Sequence, residues 1–322
     1  MSLIKFIKDW TLPIAMITGV VSYFIYAALP IPAECRFYIK EGVAFIQPAL
    51  IFTMLFLTFC KIDFMQLRPC KWHIWLLLIQ CCSFLSLGIV LYFLKDYPVH
   101  ILIESAMLCM ICPTATAAAV VTHKLGGNAA HLTSYTILIN LAVAILVPLV
   151  VSLVFSNPEL TFIGSFVMIL GKVFPLLLCP VIAAVLLQIF LPDIRKKLGA
   201  IAHISFYIWA VALTLAIAVT VKSIVHSNMS VWYQVGIAVI SAITCIIQFA
   251  CGKKIGKKYN DTITAGQSLG QKNTVLVIWM GYTFFTPISA VAGGFYSIWH
   301  NIYNSYQLYQ QRKTKSSVWI YK

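Results

Sequence analysis

The stretch GQSLGQKNTVL (266–276) places Lys272 directly before an apolar run, in a chain that is 61% hydrophobic and 10% charged. An ionisable side chain inside a membrane is costly and is a functional-site hypothesis by default. The ammonium could take the place of a bound cation, carry a proton, or pair with an anionic substrate. If the helix instead lies nearer the cytoplasm, Lys272 would only reach for the surface. The residues alone leave all four readings open.

A second interrupted stretch is CPTATAAAVVTHKLGGN (112–128). Pro113 removes a backbone donor and clashes with the preceding helical turn, while Thr114 and Thr116 can bond the carbonyls that this frees. Irregular backbone at membrane depth is tolerated only where it is buried in protein or lines a cavity. The two stretches therefore predict two broken membrane helices that form a site.

The elements that position these stretches are apolar runs long enough to cross a bilayer. With so few charges the chain reads as a polytopic membrane protein rather than a soluble domain. Ten spans are predicted, at about 11–30, 43–60, 72–94, 98–123, 131–154, 161–190, 200–223, 231–252, 262–284 and 286–309. Gly171, Lys172 and Pro175 predict a kink in the sixth span.

Basic residues orient these spans. With the N-terminus inside, 17 lysines and arginines fall in inside segments and 4 in outside segments. This bias follows the positive-inside rule. It predicts a multi-pass protein of the cell (inner) membrane with both termini in the cytoplasm, and a first helix that is retained rather than cleaved as a signal peptide.

The two breaks lie about 157 positions apart, close to half of the 322 residues. Each falls in the fourth span of its half, and five spans per half would turn the second half upside down relative to the first. This pattern predicts two inverted repeats, 1–155 and 156–322, with the site at two crossing discontinuous helices. The half-helices after the breaks would point positive N-terminal ends inward, which favours an anionic substrate.

Other function classes fit less well. The sequence contains no zincin, nucleophile-elbow or Walker pattern, so an intramembrane enzyme is disfavoured. The basic residues form short clusters between apolar runs and not a nucleic-acid-binding face, so the expected partners are an organic anion and the lipid bilayer. No cofactor is expected. A passive channel and a transport-inactive sensor remain alternatives, and the oligomeric state stays open.

Four motifs carry a resemblance to a known family: PTATAAAVVTHKLGGN, LVPLV, GQSLGQKNTVLVIW and FYSIWHNIYNS. They resemble the fourth, fifth, ninth and tenth spans of the bile acid:sodium symporter family. The resemblance implies an all-α membrane protein of ten helices in two inverted five-helix repeats. It implies a core domain (about 72–154 and 231–309), a panel domain (about 11–60 and 161–223), and sodium-driven transport of bile acids, steroid sulfates or small carboxylates.

The family's sodium-site pattern is altered in this chain. Where the fourth helix of the family often has Ala-Ser-Asn, this sequence has Ala117, Ala118 and Ala119. Where sodium-coupled members carry Glu and Gln in the ninth helix, it has Ser268 and Lys272. A sodium site needs several oxygen ligands, whereas a lysine offers donors only. Sodium coupling is therefore doubtful.

The remaining family positions give further candidates. Gln80, Thr133 and Thr136 match ion-site positions and could contribute to an ion site. If the Lys272 ammonium replaces the ion, Ser268, Gln80 and carbonyls freed by the helix breaks would hold it. For substrate binding, Thr116 and Asn273 flank the breaks and can bond a carboxylate, with Thr114 and Gln271 as weaker candidates.

Overall fold

The computed structural model describes residues 11–155, 160–227 and 229–320. In these ranges the chain forms α-helices, short 3₁₀ turns at Phe64–Gln66 and Pro287–Ala290, and connecting segments. The helices are α1 Thr11–Ala28, α2 Ala33–Cys60, α3 Lys71–Leu94, α4 His100–Ile111, α5 Ala118–Lys124, α6 Ala129–Val154, α7 Phe162–Leu177, α8 Cys179–Phe190, α9 Pro192–Ala200, α10 Ile204–Val225, α11 Val231–Lys257, α12 Thr262–Gly270, α13 Thr274–Phe284 and α14 Val291–Ile320. The all-α expectation is confirmed.

Several helices begin after a residue whose side chain caps the helix N-terminus. Asn128, Thr161 and Ser230 precede α6, α7 and α11, and each side-chain oxygen accepts a backbone N–H of the first turn. Such capping satisfies donors that have no partner within the helix. Asn273 caps α13 in the same way, through its Oδ1 and the N–H of Leu276. A predicted substrate residue thus also begins the second half of the ninth span.

Each of the ten predicted spans falls on one helix or on a pair of helices. Within the described residues, five single helices are long and apolar enough to cross a membrane: α2, α3, α6, α10 and α11. A sixth candidate is the α7–α8 pair, which bends by 44° at Leu178. This bend confirms the kink predicted for the sixth span. The count of ten membrane crossings stays a prediction, because α1, the two broken spans and α14 are shorter or more polar.

Two predicted boundaries were too narrow. The second span was expected to begin at residue 43, but α2 begins ten residues earlier at Ala33 and carries Arg36 and Lys40 in its first turns. The last span was expected to end at residue 309, but α14 continues to Ile320. Hydropathy finds the part of a helix that lipid can cover, whereas the hydrogen-bonded helix extends beyond it.

Large apolar side chains cover much of the outer surface. Phe24, Phe45, Phe93 and Trp232 are each more than half exposed. A soluble protein rarely leaves so many such side chains in water, whereas a bilayer would cover them. The exposed apolar surface therefore agrees with a multi-pass membrane protein.

The helices around the two breaks pack on one another. α11 packs against α4, α12 and α14, and α3 packs against α4 and α6. Elsewhere α10 packs against α1 and α2, and α2 also contacts α8. The crossing of the broken spans is therefore enclosed by α3, α6, α11 and α14. The proposed division into a core and a panel domain stays a prediction.

Candidate substrate and ion site at the helix crossover

The two broken spans meet at the segments that join their halves. The N–H of Ala115 donates to the Gln271 carbonyl at 2.8 Å, and the N–H of Asn273 donates to the Pro113 carbonyl at 3.0 Å. These two bonds form a single antiparallel bridge between two short extended stretches. Backbone groups freed by each break are thus satisfied by the other break, which lets irregular chain lie inside the protein.

The end of α4 is held by side chains from other segments. Because Pro113 follows the last turn, the final carbonyls of α4 lack donors from their own helix. Side-chain donors reach four consecutive carbonyls: Gln248 Nε2 to Cys109 O (3.2 Å), Lys272 Nζ to Met110 O (3.3 Å), and Gln80 Nε2 to Ile111 O and Cys112 O (2.8 Å each). The negative end of the α4 dipole therefore faces one cation and two amides.

Lys272 is 1% exposed and lies at the crossing itself. The alternative in which it reaches a water-exposed helix end is therefore wrong. Its bond to Met110 agrees with the expectation that a freed helix carbonyl holds the ammonium. Gln80 and Ser268 were expected to hold it as well, but Gln80 donates to the same helix end instead. The Ser268 hydroxyl has no hydrogen-bond partner among the described residues.

Two tyrosines support the two glutamines. Tyr135 donates to Gln80 Oε1 at 2.8 Å, and Gln248 donates to the Tyr296 hydroxyl at 3.1 Å. Tyr296 in turn donates to the Gly270 carbonyl, at the end of α12, at 2.8 Å. Gln248 and Tyr296 were missed from the sequence. Their signal was a glutamine in the third apolar span of the second half, since Gln80 lies in the third span of the first half.

The four predicted substrate residues lie at or beside the crossing. Thr114 donates to the Ser268 carbonyl at 2.6 Å, which ties the first break to the end of α12. Thr116 is half-buried in the segment that follows. Asn273 caps α13, and Gln271 is buried with an Oε1 that has no partner among the described residues. Thr114 is thus occupied structurally, whereas Gln271 keeps a free acceptor.

A stripe of buried polar side chains lies on α14, and one of them bonds to Gln267 on α12. Ser297, His300 and Asn304 recur at helical spacing, and Gln267 Nε2 donates to Asn304 Oδ1 at 2.9 Å. Four polar atoms of this stripe have no partner among the described residues: Gln267 Oε1, Ser297 Oγ, His300 Nδ1 and Asn304 Nδ2. Buried polar groups are normally hydrogen-bonded, so a cluster of unpaired ones indicates a place for water or a polar ligand. Together with the polar groups of the crossing, this stripe forms the candidate site.

Comparison with known proteins gives one informative relative. Over 201 residues the chain is 26% identical to a Bacillus subtilis (strain 168) protein described as "Uncharacterized sodium-dependent transporter YocS". The match covers 60% of this chain and 59% of the relative. No family model matches the sequence. The chain is therefore similar to a distant relative that is named as a transporter, and it spans less than two thirds of that relative's length.

The relative's name refers to sodium, so the residues at the expected sodium positions are informative. Ala118 is fully buried and presents a methyl group where an oxygen was expected. Thr133 and Thr136 are buried, and each hydroxyl donates to the carbonyl four residues earlier in α6. Their lone pairs remain available, and the Lys272 amino group occupies the crossing, where it donates to the Met110 carbonyl.

Proposed function

We propose that the protein is a secondary transporter that moves an organic anion across the cell (inner) membrane by alternating access. The observation that carries this proposal is the crossing of two broken helices, whose backbones pair between Pro113 and Asn273. Such crossings place irregular backbone and helix ends around a site near the middle of a membrane protein. Both termini would lie in the cytoplasm, and the organic anion would be a bile acid, a steroid sulfate or a small carboxylate.

The two inverted repeats are supported by matching contacts in the two halves. Gln80 and Tyr135 pair in the first half, and Gln248 and Tyr296 pair in the second. In each case the glutamine comes from the third span of its half and the tyrosine from the fifth. Both glutamines donate to carbonyls at the end of α4, and Tyr296 also donates to the end of α12, so the two pairs would hold the helix ends of the crossing.

Lys272 would take the role of the coupling cation. Its ammonium already donates to a carbonyl at the end of α4, where an inorganic cation would otherwise be attracted by the helix dipole. The crossing would then hold its shape without sodium, and the fixed positive charge would favour an anionic substrate. Thr116, Asn273 and the α14 stripe would bond the carboxylate or sulfate group.

A second candidate keeps sodium as the driving ion. The observation in its favour is the name of the Bacillus relative, which calls that protein sodium-dependent. Gln80, Thr133 and Thr136 would then supply oxygen ligands beside Lys272. A passive channel or a transport-inactive sensor would differ from both candidates, because neither a channel nor a sensor shows saturable uptake with counterflow.

Uptake by the purified protein in liposomes separates these candidates. Labelled bile acid, steroid sulfate and short monocarboxylate would be tested with sodium or potassium outside and across a pH series. Saturable uptake with counterflow, equal in sodium and potassium, is expected. Uptake that requires sodium would overturn the role given to Lys272, and the absence of counterflow for every probe would overturn the transporter.

A gain-of-function variant tests the ion substitution directly. It combines Lys272→Gln, Ser268→Glu, Ala118→Ser and Ala119→Asn, which rebuilds the oxygen ligands expected in a sodium-coupled relative. Sodium should then stabilise the variant against heat relative to potassium, whereas the unmodified protein should not respond. If the variant folds and sodium does not stabilise it, the missing oxygen ligands are not the cause of sodium independence in the unmodified protein.

A further inference from the structure

Two carboxylates, Glu104, which is buried, and Asp261, which is partly exposed, lie at similar positions in the two halves. Glu104 is in the first turns of α4, and Asp261 directly precedes α12. Their separation of 157 positions matches the spacing of the two breaks. α4 and α12 are the first halves of the two broken spans, so each carboxylate stands near the start of one of them.

Glu104 bonds to the chain that follows the other broken span. Its Oε2 accepts the N–H of Thr286 at 3.0 Å, and its Oε1 accepts the Thr286 hydroxyl at 3.0 Å. The Ser289 hydroxyl also donates to Oε2. Thr286 and Ser289 lie between α13 and α14, so Glu104 ties the start of the first broken span to the end of the second. The same contact closes one end of the crossing.

Asp261 makes the corresponding tie at the opposite end. Its Oδ2 is 2.8 Å from Nδ1 of His131, in the first turn of α6. A second bond lies beside it, from the N–H of Asn128 to the Thr264 hydroxyl at 2.9 Å. This tie joins the start of the second broken span to the start of α6, the helix that follows the first broken span. Ser289 and His131, the partners, are 158 positions apart, so donors and carboxylates follow the same repeat.

A cleft adjoins each tie. One, of about 370 Å³, is lined by Glu104, His100, Thr286 and the flanking Lys95 and Asp96, among others. The other, of about 330 Å³, is lined by Asp261 and by residues that include Lys257 and Thr262. The ties therefore lie where each end of the crossing meets open space, which is where a change in one tie could alter access.

We propose that Glu104 and Asp261 are matched positioning residues that hold the two ends of the crossing closed, and that the Asp261–His131 end is held more tightly when His131 is protonated. Glu104 accepts bonds from two hydroxyls and a backbone N–H, which keep their protons at every physiological pH, and His100 Nε2 lies 4.0 Å from its Oε1, beyond hydrogen-bond distance. At the Asp261 end a histidine itself makes the hydrogen bond, and histidine side chains change charge between about pH 5 and pH 8. Protonation converts its hydrogen bond to Asp261 into an ion pair, so this tie weakens as the pH rises.

Other charged and titratable groups face this tie. Cys70 and His73 approach from the start of α3, and Lys257 shares the cleft with Asp261. Burial raises the pKa of the Cys70 thiol, and the nearby Asp261 raises it further, so Cys70 stays neutral through this range. His73 Nδ1 accepts the Cys70 N–H at 3.0 Å.

Thermal unfolding of the purified full-length protein tests the pH-dependent tie without any substrate. His131→Gln should lower the unfolding temperature by about 2–4 °C more at pH 6 than at pH 8.5. Asp261→Asn should remove the same pH-dependent part, and the double variant should lose no more than either single variant. His123→Gln, at an exposed histidine, is the control and should leave the pH profile unchanged.

Two results would overturn the proposal: a pH-independent effect of His131→Gln, or additive losses in the double variant. If a variant fails to fold, hydrogen exchange of segment 125–135 in the unmodified protein gives the same test, since protection should fall as the pH rises. The variant that tests the Glu104 end is Glu104→Gln. It should lower the unfolding temperature without changing how hydrogen-exchange protection of segment 125–135 depends on pH.

The effect on transport rests on the proposed function, whereas the stability and exchange measurements do not. In liposomes that take up one of the probe anions, His131→Gln should shift the pH profile of uptake and leave its ion requirement unchanged. If the unmodified protein transports an anion but His131→Gln has the same effect on its unfolding temperature at every pH, only the proposed tie is rejected. If no probe anion is taken up but the effect of His131→Gln on the unfolding temperature depends on pH as expected, only the transporter function is rejected.

Discussion

Thr114 and Lys272 lie opposite each other as one antiparallel backbone pair, although 158 positions separate them in the chain. The Thr114 hydroxyl also donates to the Ser268 carbonyl, so the first break is bonded to both sides of the second. Neither stretch could keep its backbone satisfied alone, because each interrupts a helix. The crossing is therefore formed jointly by the two halves, and a substitution at Thr114 or Lys272 should destabilise the broken helices of both halves.

Replacing Lys272 tests how much its ammonium stabilises the crossing. Lys272→Met leaves the Met110 carbonyl without this donor, which should cost about 1–3 kcal/mol for an unsatisfied buried group. Removing a buried charge also relieves a desolvation penalty, so the measured loss should lie at the lower end. The measurement is thermal or denaturant unfolding in detergent, in sodium and in potassium buffers.

Lys172→Met is the matched control for this variant. Lys172 lies on α7 and is exposed, so its replacement should change the unfolding free energy by no more than about 0.5 kcal/mol. Equal losses in the two variants would contradict a structural role for the Lys272 ammonium. A clear stabilisation of the unmodified protein by sodium would contradict the substitution of the ion.

The Gln248–Tyr296 pair should behave as a unit. Gln248→Leu removes the donor to Cys109, and Tyr296→Phe removes the donor to Gly270 together with the acceptor for Gln248. Each single change should cost about 1–3 kcal/mol. The double variant should lose less than the sum, by about 0.5–3 kcal/mol, because the two side chains share one network.

Tyr306→Phe provides a control for the pair, since Tyr306 lies on the same helix and is 56% exposed. It should leave stability unchanged and add independently to Gln248→Leu. Strict additivity of Gln248→Leu and Tyr296→Phe, measured by the same unfolding assay, would show that their hydrogen bond does not couple the ends of α4 and α12.

Gly270 should resist substitution because the end of α12 packs tightly. A Cβ at Gly270 would lie 2.4 Å from the ring of Phe249 on α11, whereas a Cβ at Gly171 on α7 would meet nothing within 4 Å. Gly270→Ala should therefore destabilise the protein by about 1–3 kcal/mol through overpacking. Gly171→Ala should be neutral or stabilising by up to about 1 kcal/mol, since alanine is the better helix former. Similar effects in unfolding experiments would contradict this contrast.

The sequence supplied more of this site than of its surroundings. Pro113 and the glycines around Ser268 disrupt helices by local chemistry, so both breaks could be placed without a structure. Lys272 was conspicuous because a charge in an apolar segment is rare. The direction of each side chain was not accessible in this way, because it depends on which helices meet. This is why Gln80 was assigned to the ammonium but instead holds Ile111 and Cys112.

Gln248 and the α14 stripe show a different reason for incomplete prediction. A single glutamine or serine in an apolar span can bond its own helix, face a neighbour or line a site, and helical spacing does not distinguish these cases. Asn304 becomes informative only when Gln267 is seen opposite it on α12. The ties of Glu104 and Asp261 were likewise hidden, since their partners lie 182 and 130 positions away in the chain.

The unpaired polar atoms of the stripe should lower stability when no ligand is bound. A buried polar group without a partner costs about 1–3 kcal/mol, whereas an apolar pair of similar shape can be neutral or stabilising. The double variant Gln267→Met with Asn304→Leu removes two such atoms together with the bond between the side chains. It should unfold at the same or a higher temperature than the unmodified protein, and it should no longer be stabilised by an anion that stabilises the unmodified protein.

The single variants separate this stripe from an ordinary buried polar pair. Gln267→Met alone should be destabilising, because it removes the shorter of the two hydrogen bonds to Asn304 Oδ1 and leaves the Nδ2 group buried and unpaired. A strongly destabilised double variant would mean that the pair holds α12 to α14 and does not await a ligand. Retention of anion-induced stabilisation in the double variant would place the substrate elsewhere in the crossing, beside Thr116 and Asn273. Replacing Gln267 and Asn304 with apolar residues therefore tests whether the same two side chains lower stability and bind the ligand.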